Sequence, residues 1–242
     1  MTSITILQSA ADARPDWVGR CMTSVADWSK RQGYKYNYIG DDIFDLVTSE
    51  SRDKLQHRRP ILADLARLRW IESELAARGG LVVWIDADTL VVNPGWCVPN
   101  SAHTFFGEEC WVQPTAAGAW RAYHSPHNAF MGFTPASPVL GFLAYLSESI
   151  IERADAAHIA PQMIGPKLLK ALNNLAHFTL VPEAGAVSPE LLEEWVGEPG
   201  PVTVCYEQAA RAPLALVNLC SSLARSDEAA LRAEQFLTRH GA

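Results

Sequence analysis

The chain has 242 residues and a mass of 26.6 kDa, with 48% hydrophobic and 19% charged residues, ordinary globular usage that excludes a disordered tail protein, a collagen and a disulfide-framework mini-protein. Twenty Lys and Arg against 27 Asp and Glu leave a formal net charge of −7, and no basic patch offsets it, so nucleic acid is excluded as a main partner. The five cysteines, Cys21, Cys97, Cys110, Cys205 and Cys220, are scattered without a C-x-x-C pair, which indicates neither a zinc site nor a disulfide framework and makes a reducing cytoplasm the simplest location.

Met1-Thr2-Ser3-Ile4 has no basic n-region or long apolar stretch, and no run reaches the ~18 apolar residues of a membrane span. Residues 4–7 form a short β-branched apolar run. Pro15 then opens a periodic segment over 17–32 that stops at Gly33, the pattern of a strand, a turn and a helix. Residues 34–39 alternate and run into Gly40-Asp41-Asp42, which completes a βαβ unit. Residues 45–57 predict a weak helix or loop. Pro60 starts a helix over 61–78, closed by Gly79-Gly80, and the continuous apolar run 81–85 is the pattern of a strand buried on both faces. Residues 93–126 are rich in Pro, Gly and aromatics, with short strands expected at 103–106 and 128–133. Helices are expected over 141–153 and 166–173, strands at 178–181 and 202–205, and a last helix over 228–239 with Ser226 as its cap. No repeat or linker divides residues 1–242, so a single α/β domain with a mixed, mostly parallel sheet flanked by helices is expected.

The buried strand ends in Asp86-Ala87-Asp88. Ligands of open α/β sheets bind beyond the carboxyl ends of the strands, and two carboxylates there can share a hard divalent cation such as Mg²⁺ or Mn²⁺. Taken alone, the triplet is a weak signal and reads first as an acidic turn after a strand. On the preceding helix, Leu62, Leu65, Leu68, Ile71 and Leu75 fall on one stripe at about 100° per residue, and Asp64 lies within it. A carboxylate on a buried face needs a partner, and Arg67, three residues on, is placed to be one. A structural ion pair and a ligand-binding pair fit this spacing equally well.

Ala63-Asp64-Leu65-Ala66-Arg67, Gly79-Gly80 and Trp84-Ile85-Asp86-Ala87-Asp88-Thr89 together resemble the nucleotide-sugar site of the DXD-motif glycosyltransferases of GT-A fold, in the mannosyltransferase, capsular-polysaccharide and clostridial-toxin variety. Cys21, Ser24, Trp28, Gly33, Tyr36 and Asp41-Asp42 resemble that family's first helix and second strand. Asn128-Ala129-Phe130-Met131 resembles its strand after the metal motif, and Ile164-Gly165-Pro166-Lys167-Leu168-Leu169 a helix start, so the likeness spans residues 4–182. It implies a GT-A-like, Rossmann-like sheet, and a sugar transfer from a UDP-sugar with Mn²⁺ or Mg²⁺, with retention of configuration, to an acceptor that could be a saccharide, a natural product or a protein. Asp86 and Asp88 would hold the metal and diphosphate around Ala87. Asp64 and Arg67 would contact the donor sugar or its phosphates, Asn128 would lie on the sugar side, and Gln8 would touch the nucleotide.

Two positions differ from that pattern. Gln8 is followed by Ser9-Ala10-Ala11 where the resembling enzymes carry a base-stacking aromatic, and Leu216-Val217-Asn218-Leu219-Cys220-Ser221 stands where a late metal-binding His is expected. The amide oxygen of Asn218 is the candidate replacement ligand, the alternatives being a site of the two aspartates and water alone and an Asn218 that simply ends a strand or caps a turn. Beside these, His124 and His127 flank Ser125-Pro126 in an expected loop, with His127 a possible acceptor contact. Trp111, Trp120 and Tyr123 offer a stacking wall or the packing of their own loop, and Glu108-Glu109 forms a second acidic pair without an assigned role. A non-catalytic carbohydrate- or nucleotide-binding module fits the two departures. A nucleotidyltransferase of similar topology would carry a Gly-rich basic loop after the first strand, which Gln8-Ser9-Ala10-Ala11-Asp12 lacks.

Overall fold

The computed structural model describes residues 3–155, 158–160, 162–220 and 227–240. Strand β1 (Ile4–Ser9), helix α1 (Asp16–Gln32) and strand β2 (Lys35–Ile39) form the expected βαβ unit. Helix α1 ends because Gly33 takes φ 72°, a left-handed conformation that lets its N–H turn back on Lys30 O. A 3-10 turn at Asp41–Leu46 and helix α2 (Ser49–Leu55), capped by the Thr48 side chain, occupy the weakly patterned stretch. Helix α3 (Arg59–Arg78) leads through Gly79-Gly80 into strand β3 (Leu81–Ile85), every residue of which is buried.

Strands β4 (Thr89–Val91), β5 (Thr104–Pro114) and β6 (Trp120–Phe133) follow, then helices α4 (Leu140–Arg153) and α5 (Pro166–Ala176) and strands β7 (Thr179–Val181) and β8 (Ala184–Ala186). Helices α6 (Pro189–Val196) and α7 (Pro201–Ala209), strand β9 (Leu216–Asn218) and helix α8 (Asp227–His240) complete the order. The main sheet is ordered β2-β1-β3-β6-β5-β7. Within it β1 is parallel to β2 and β3, β6 is antiparallel to β3 and β5, and β5 is parallel to β7. Five strands therefore run one way and β6 runs against them. A smaller sheet, β4-β9-β8, carries the exit of β3 onward.

Strand alternation sorts the core onto two faces. Val82 and Trp84 pack with Leu65, Leu68 and Ile71 of α3 and with α4 and α5, while Leu81, Val83 and Ile85 pack with Val25 and Trp28 of α1. Each such side chain gains roughly 1.5–3 kcal/mol from burial, more than a surface ion pair supplies, so the end of β3 is fixed in place by its packing.

Three sequence expectations are corrected here. Residues 202–205 are not a strand: they lie in α7, where Pro201 suits the first turn and the Glu194 carboxylate accepts the Gly200, Val202 and Thr203 N–H groups at 2.9, 3.2 and 2.7 Å, a tertiary cap that overrides the β-branched composition. The short strands at 103–106 and 128–133 belong to a long β5–β6 hairpin, closed by a turn in which Gly118, at φ 78°, donates to Thr115 O and Thr115 N donates to Ala119 O. His124 and His127 accordingly lie in strand β6, not in a loop. The expected cap at Ser226 falls outside the described residues. Among the described residues no helix is long and apolar enough to cross a membrane.

Candidate active site

Alternation along β3 directs Trp84 and Asp86 to the α3 side. There Asp86 Oδ1 accepts from Trp84 Nε1 at 2.6 Å and from Arg67 Nη1 at 3.0 Å. The Arg67 guanidinium also lies 4.9 Å from the Trp84 ring centre, a cation–π contact. One turn earlier on α3, Asp64 Oδ1 meets Arg67 Nη2 at 3.2 Å and accepts from Asn128 Nδ2 at 2.7 Å, while the Asn128 carbonyl accepts from Arg67 Nη1 at 3.1 Å. Arg67 thus joins α3, β3 and β6. Asn128 comes within reach because the β5–β6 register breaks between Phe106 and Gly107: Phe106 pairs with Met131, but Gly107 pairs with His127. The residues in between have no partner on β5, as at a β-bulge.

Gly165 closes the far side. A Cβ there would stand 2.7 Å from Asp64 Oδ2 and 2.8 Å from Asn128 Nδ2, so the start of α5 lies against the Asp64 carboxylate, where the helix dipole favours negative charge.

Burial is the largest influence on both carboxyls. It pushes Asp64 up to about 6 against the opposing pull of Arg67, with a further upward push from Asp86 and a downward one from the Asn128 hydrogen bond. Asp86 is likewise raised by burial and by Asp88, and lowered by Arg67 and by Trp84. Three carboxylates therefore interact around one guanidinium, and the surplus is negative.

Asp88 is met by the smaller sheet. Strand β9 pairs with β4 so that Asn218 lies opposite Thr89. Asn218 Nδ2 donates to Asp88 Oδ1 at 2.6 Å and to Thr89 Oγ1 at 3.1 Å, and its Oδ1 accepts the Cys220 N–H at 3.0 Å. The Leu219 N–H donates to Asp88 O at 3.0 Å. The structure thus brings Asn218 to the aspartates with its nitrogen toward Asp88, while its amide oxygen is engaged on the opposite side.

No family model matches the chain, and no curated protein sequence matches it. Among solved structures it resembles a glycosyltransferase involved in the glycosylation of the major capsid of PBCV-1, with a TM-score of 0.50 and 14% identity, over 97% of this chain and 98% of that one. The chain has a glycosyltransferase-like α/β fold. In that fold the aspartates stand at the carboxyl end of the central strand, where the sheet changes from parallel to antiparallel pairing.

Asp64, Arg67, Asp86 and Asn128 form one bonded cluster, with Asp88 and Asn218 beside it and Ala87 partly exposed between the aspartates. Gln8 is fully buried: its Nε2 donates to Asp86 O at 3.2 Å and its Oε1 accepts from Tyr36 at 2.9 Å, so in this arrangement it holds the Asp86 main chain. His127 is not an acceptor contact. It is 4% exposed, its Nδ1 accepts the Ala129 N–H at 3.2 Å, and its Nε2, the nitrogen that then carries the proton, donates to Ala184 O at 2.9 Å. Sequence reading names Trp84 and Gly165 only as parts of the resembling motifs, without a site role of their own. A tryptophan two positions before the first aspartate of a strand-end motif shares its face, which is the signal that identifies Trp84.

Proposed function

We propose that this chain is a metal-dependent glycosyltransferase that moves a sugar from a nucleotide-sugar donor, a UDP-sugar, to an acceptor, with retention of configuration. The observation that carries this reading is the bonded cluster of Asp64, Arg67, Asp86 and Asn128 at the strand end next to Asp88, within a glycosyltransferase-like fold. The donor set suits a hard divalent cation, since it consists of carboxylates and its surplus charge is negative. Among the described residues no group of three His, Cys, Asp or Glu side chains is arranged to hold a metal, so Asp86 and Asp88 would hold Mn²⁺ or Mg²⁺ with the remaining positions left to diphosphate oxygens and water.

A bound divalent ion would supply Lewis-acid stabilisation of the departing nucleoside diphosphate. The protein's own part is positional and electrostatic. Arg67, held by two carboxylates and stacked on Trp84, presents a fixed positive charge to the leaving group, and Asp64 and Asn128 orient the sugar from α3 and β6. Attack by the acceptor on the face from which the diphosphate departs needs such positioning and no dedicated nucleophile.

The test is thermal denaturation with UDP. At ~100 times the dissociation constant a ligand adds about 2.7 kcal/mol, roughly 5–10 °C for a domain of this size. UDP with Mn²⁺ should give this shift and UDP with EDTA should not, and a panel of UDP- and GDP-sugars then identifies the donor by its hydrolysis. Equal shifts with and without metal would sink the assignment, and binding without any turnover would favour a carbohydrate- or nucleotide-binding module.

A further inference from the structure

The β5–β6 hairpin has two unlike faces. Glu108, Cys110 and Val112 lie opposite Pro126, His124 and Ala122, and the segment around α7 covers this side. Arg211 Nη1 donates to Glu108 Oε1 at 2.5 Å, and Tyr206 and Ala210 line the small space beside Cys110 and His124. Directly opposed residues of an antiparallel pair project to the same side. Glu109 with Ser125, Trp111 with Tyr123 and Gln113 with Arg121 therefore make the other face. Here Glu109, Trp111 and Tyr123 are half-buried, while Gln113 and Arg121 are exposed. Arg121 lies 5.2 Å from the Tyr123 ring centre and so braces it.

The Glu109 end of this face borders the candidate active site. Glu109 stands two residues beyond Gly107 on β5, and Gly107 pairs with His127, the residue that precedes Asn128 on β6. Burial pushes the Glu109 carboxyl up, and the charge of Lys170 on α5 opposes it. The face thus joins a carboxyl near the aspartates to an aromatic pair one step farther out along the ribbon.

We propose that Glu109, Trp111 and Tyr123 form the acceptor subsite, and that the acceptor presents a pyranose ring there. A sugar has C–H faces that stack on aromatic rings and hydroxyls around its edge that donate to a carboxylate, which matches an aromatic pair flanked by Glu109, Gln113 and Arg121. An apolar aglycone would instead need a concave apolar wall, and these polar flanks do not provide one. Glu109 accepts a hydrogen bond from the incoming hydroxyl and Trp111 carries the ring, so the acceptor is held beside the aspartates. The inference rests on the transferase reading above.

Saturation-transfer NMR on the full chain tests it, with the methyl α- and β-glycosides of glucose, galactose and mannose as probes in the presence of UDP and Mn²⁺. At least one glycoside should receive saturation, and its binding should weaken at least tenfold in Glu109→Gln and in Trp111→Leu. Glu109→Gln keeps size and shape, so it reads the carboxylate even if the Trp111 variant disturbs the ribbon. No signal from any glycoside in the wild type, or signals unchanged in both variants, would overturn the proposal. A UDP–Mn²⁺ melting shift, measured on the same samples, separates the two readings. A shift combined with glycoside binding indifferent to both substitutions removes the subsite and leaves the transferase. Glycoside binding that depends on both residues, without that shift, supports the saccharide subsite and removes the transferase reading.

Discussion

Asn218 stands 2.6 Å from Asp88 Oδ1 with the nitrogen of its amide foremost, and that orientation is set from behind, where Oδ1 accepts the Cys220 N–H. An outer residue of this kind holds a carboxylate in its rotamer, and in the metal-dependent reading proposed above that carboxylate is one that would bind the ion. Asn218→Ala should raise the Mn²⁺ concentration needed for half-maximal UDP binding by about tenfold while leaving the nucleotide able to bind at saturating metal. Metal titrations of the two proteins decide it. Identical half-saturation would show that Asp88 keeps its position unaided.

Arg67 is 9% exposed and bonds the buried Asp64 carboxylate and the half-buried Asp86 carboxylate, so its removal leaves that charge uncompensated inside the protein. Breaking one member of such a network costs about 3–5 kcal/mol, and Arg67→Ala should lower the melting temperature by roughly 6–20 °C at pH 8. The deficit should shrink on acidification toward pH 5, because protonating Asp64 and Asp86 removes the uncompensated charge. Melting curves at the two pH values, for both proteins, test the sign. A variant as stable as the wild type at pH 8 would mean that the carboxylates find other partners.

Gly165 is required by space rather than by its backbone angles. Gly165→Ala forces its new methyl into Asp64 and Asn128, with an overpacking cost of about 1–3 kcal/mol and a weakened Asn128–Asp64 bond. Gly19→Ala in α1 is the control, since nothing lies within 4 Å of its added carbon and helix propensity there favours Ala by about 1 kcal/mol. The two variants should move stability in opposite directions in chemical denaturation, and only the first should reduce donor hydrolysis.

His127 makes the fold acid-sensitive. Burial is the main cause that brings its pKa down to about 4, against the opposing effects of the Ala184 hydrogen bond and Asp88. Between pH 6.5 and 4 the unfolded chain therefore binds the proton and the folded chain does not. The contribution of this residue falls as pH drops through that window, by about 1.4 kcal/mol per unit at most. Asp64 and Glu109, whose pKa values are raised to about 6 and about 7, push the other way, so the readout is the difference between wild type and His127→Gln. That difference should narrow as the pH is lowered, and a gap constant from pH 7 to 4 would show that His127 titrates normally.

Local pattern made the central part of the molecule legible. Continuous apolar composition marked β3, Pro and Gly bounded α1 and α3, and the apolar stripe around Asp64 pointed to a paired carboxylate, which the structure places against Arg67. What sequence reading missed depends on distant partners. Helix α7 forms where a carboxylate from α6 caps it, the hairpin extends because Gly118 permits its turn, and the direction of the Asn218 amide is decided by a main-chain N–H two residues on. Gln8 reads as a ligand contact, yet it is consumed by Tyr36 and the Asp86 main chain, a pairing that only the β1–β2–β3 register creates.

The pairing of β4 with β9 also carries a schedule. Asp88 and the Asn218 that holds it are 130 residues apart, so a ribosome adding roughly 5–20 residues per second finishes the first of them roughly 6–26 s before the second. During that interval the edge of β4 that will receive β9 has no strand to pair with, and open strand edges are where chains cross-pair. The aspartates are thus made early and assembled late, and the segment that completes their surroundings is also the one that closes this edge.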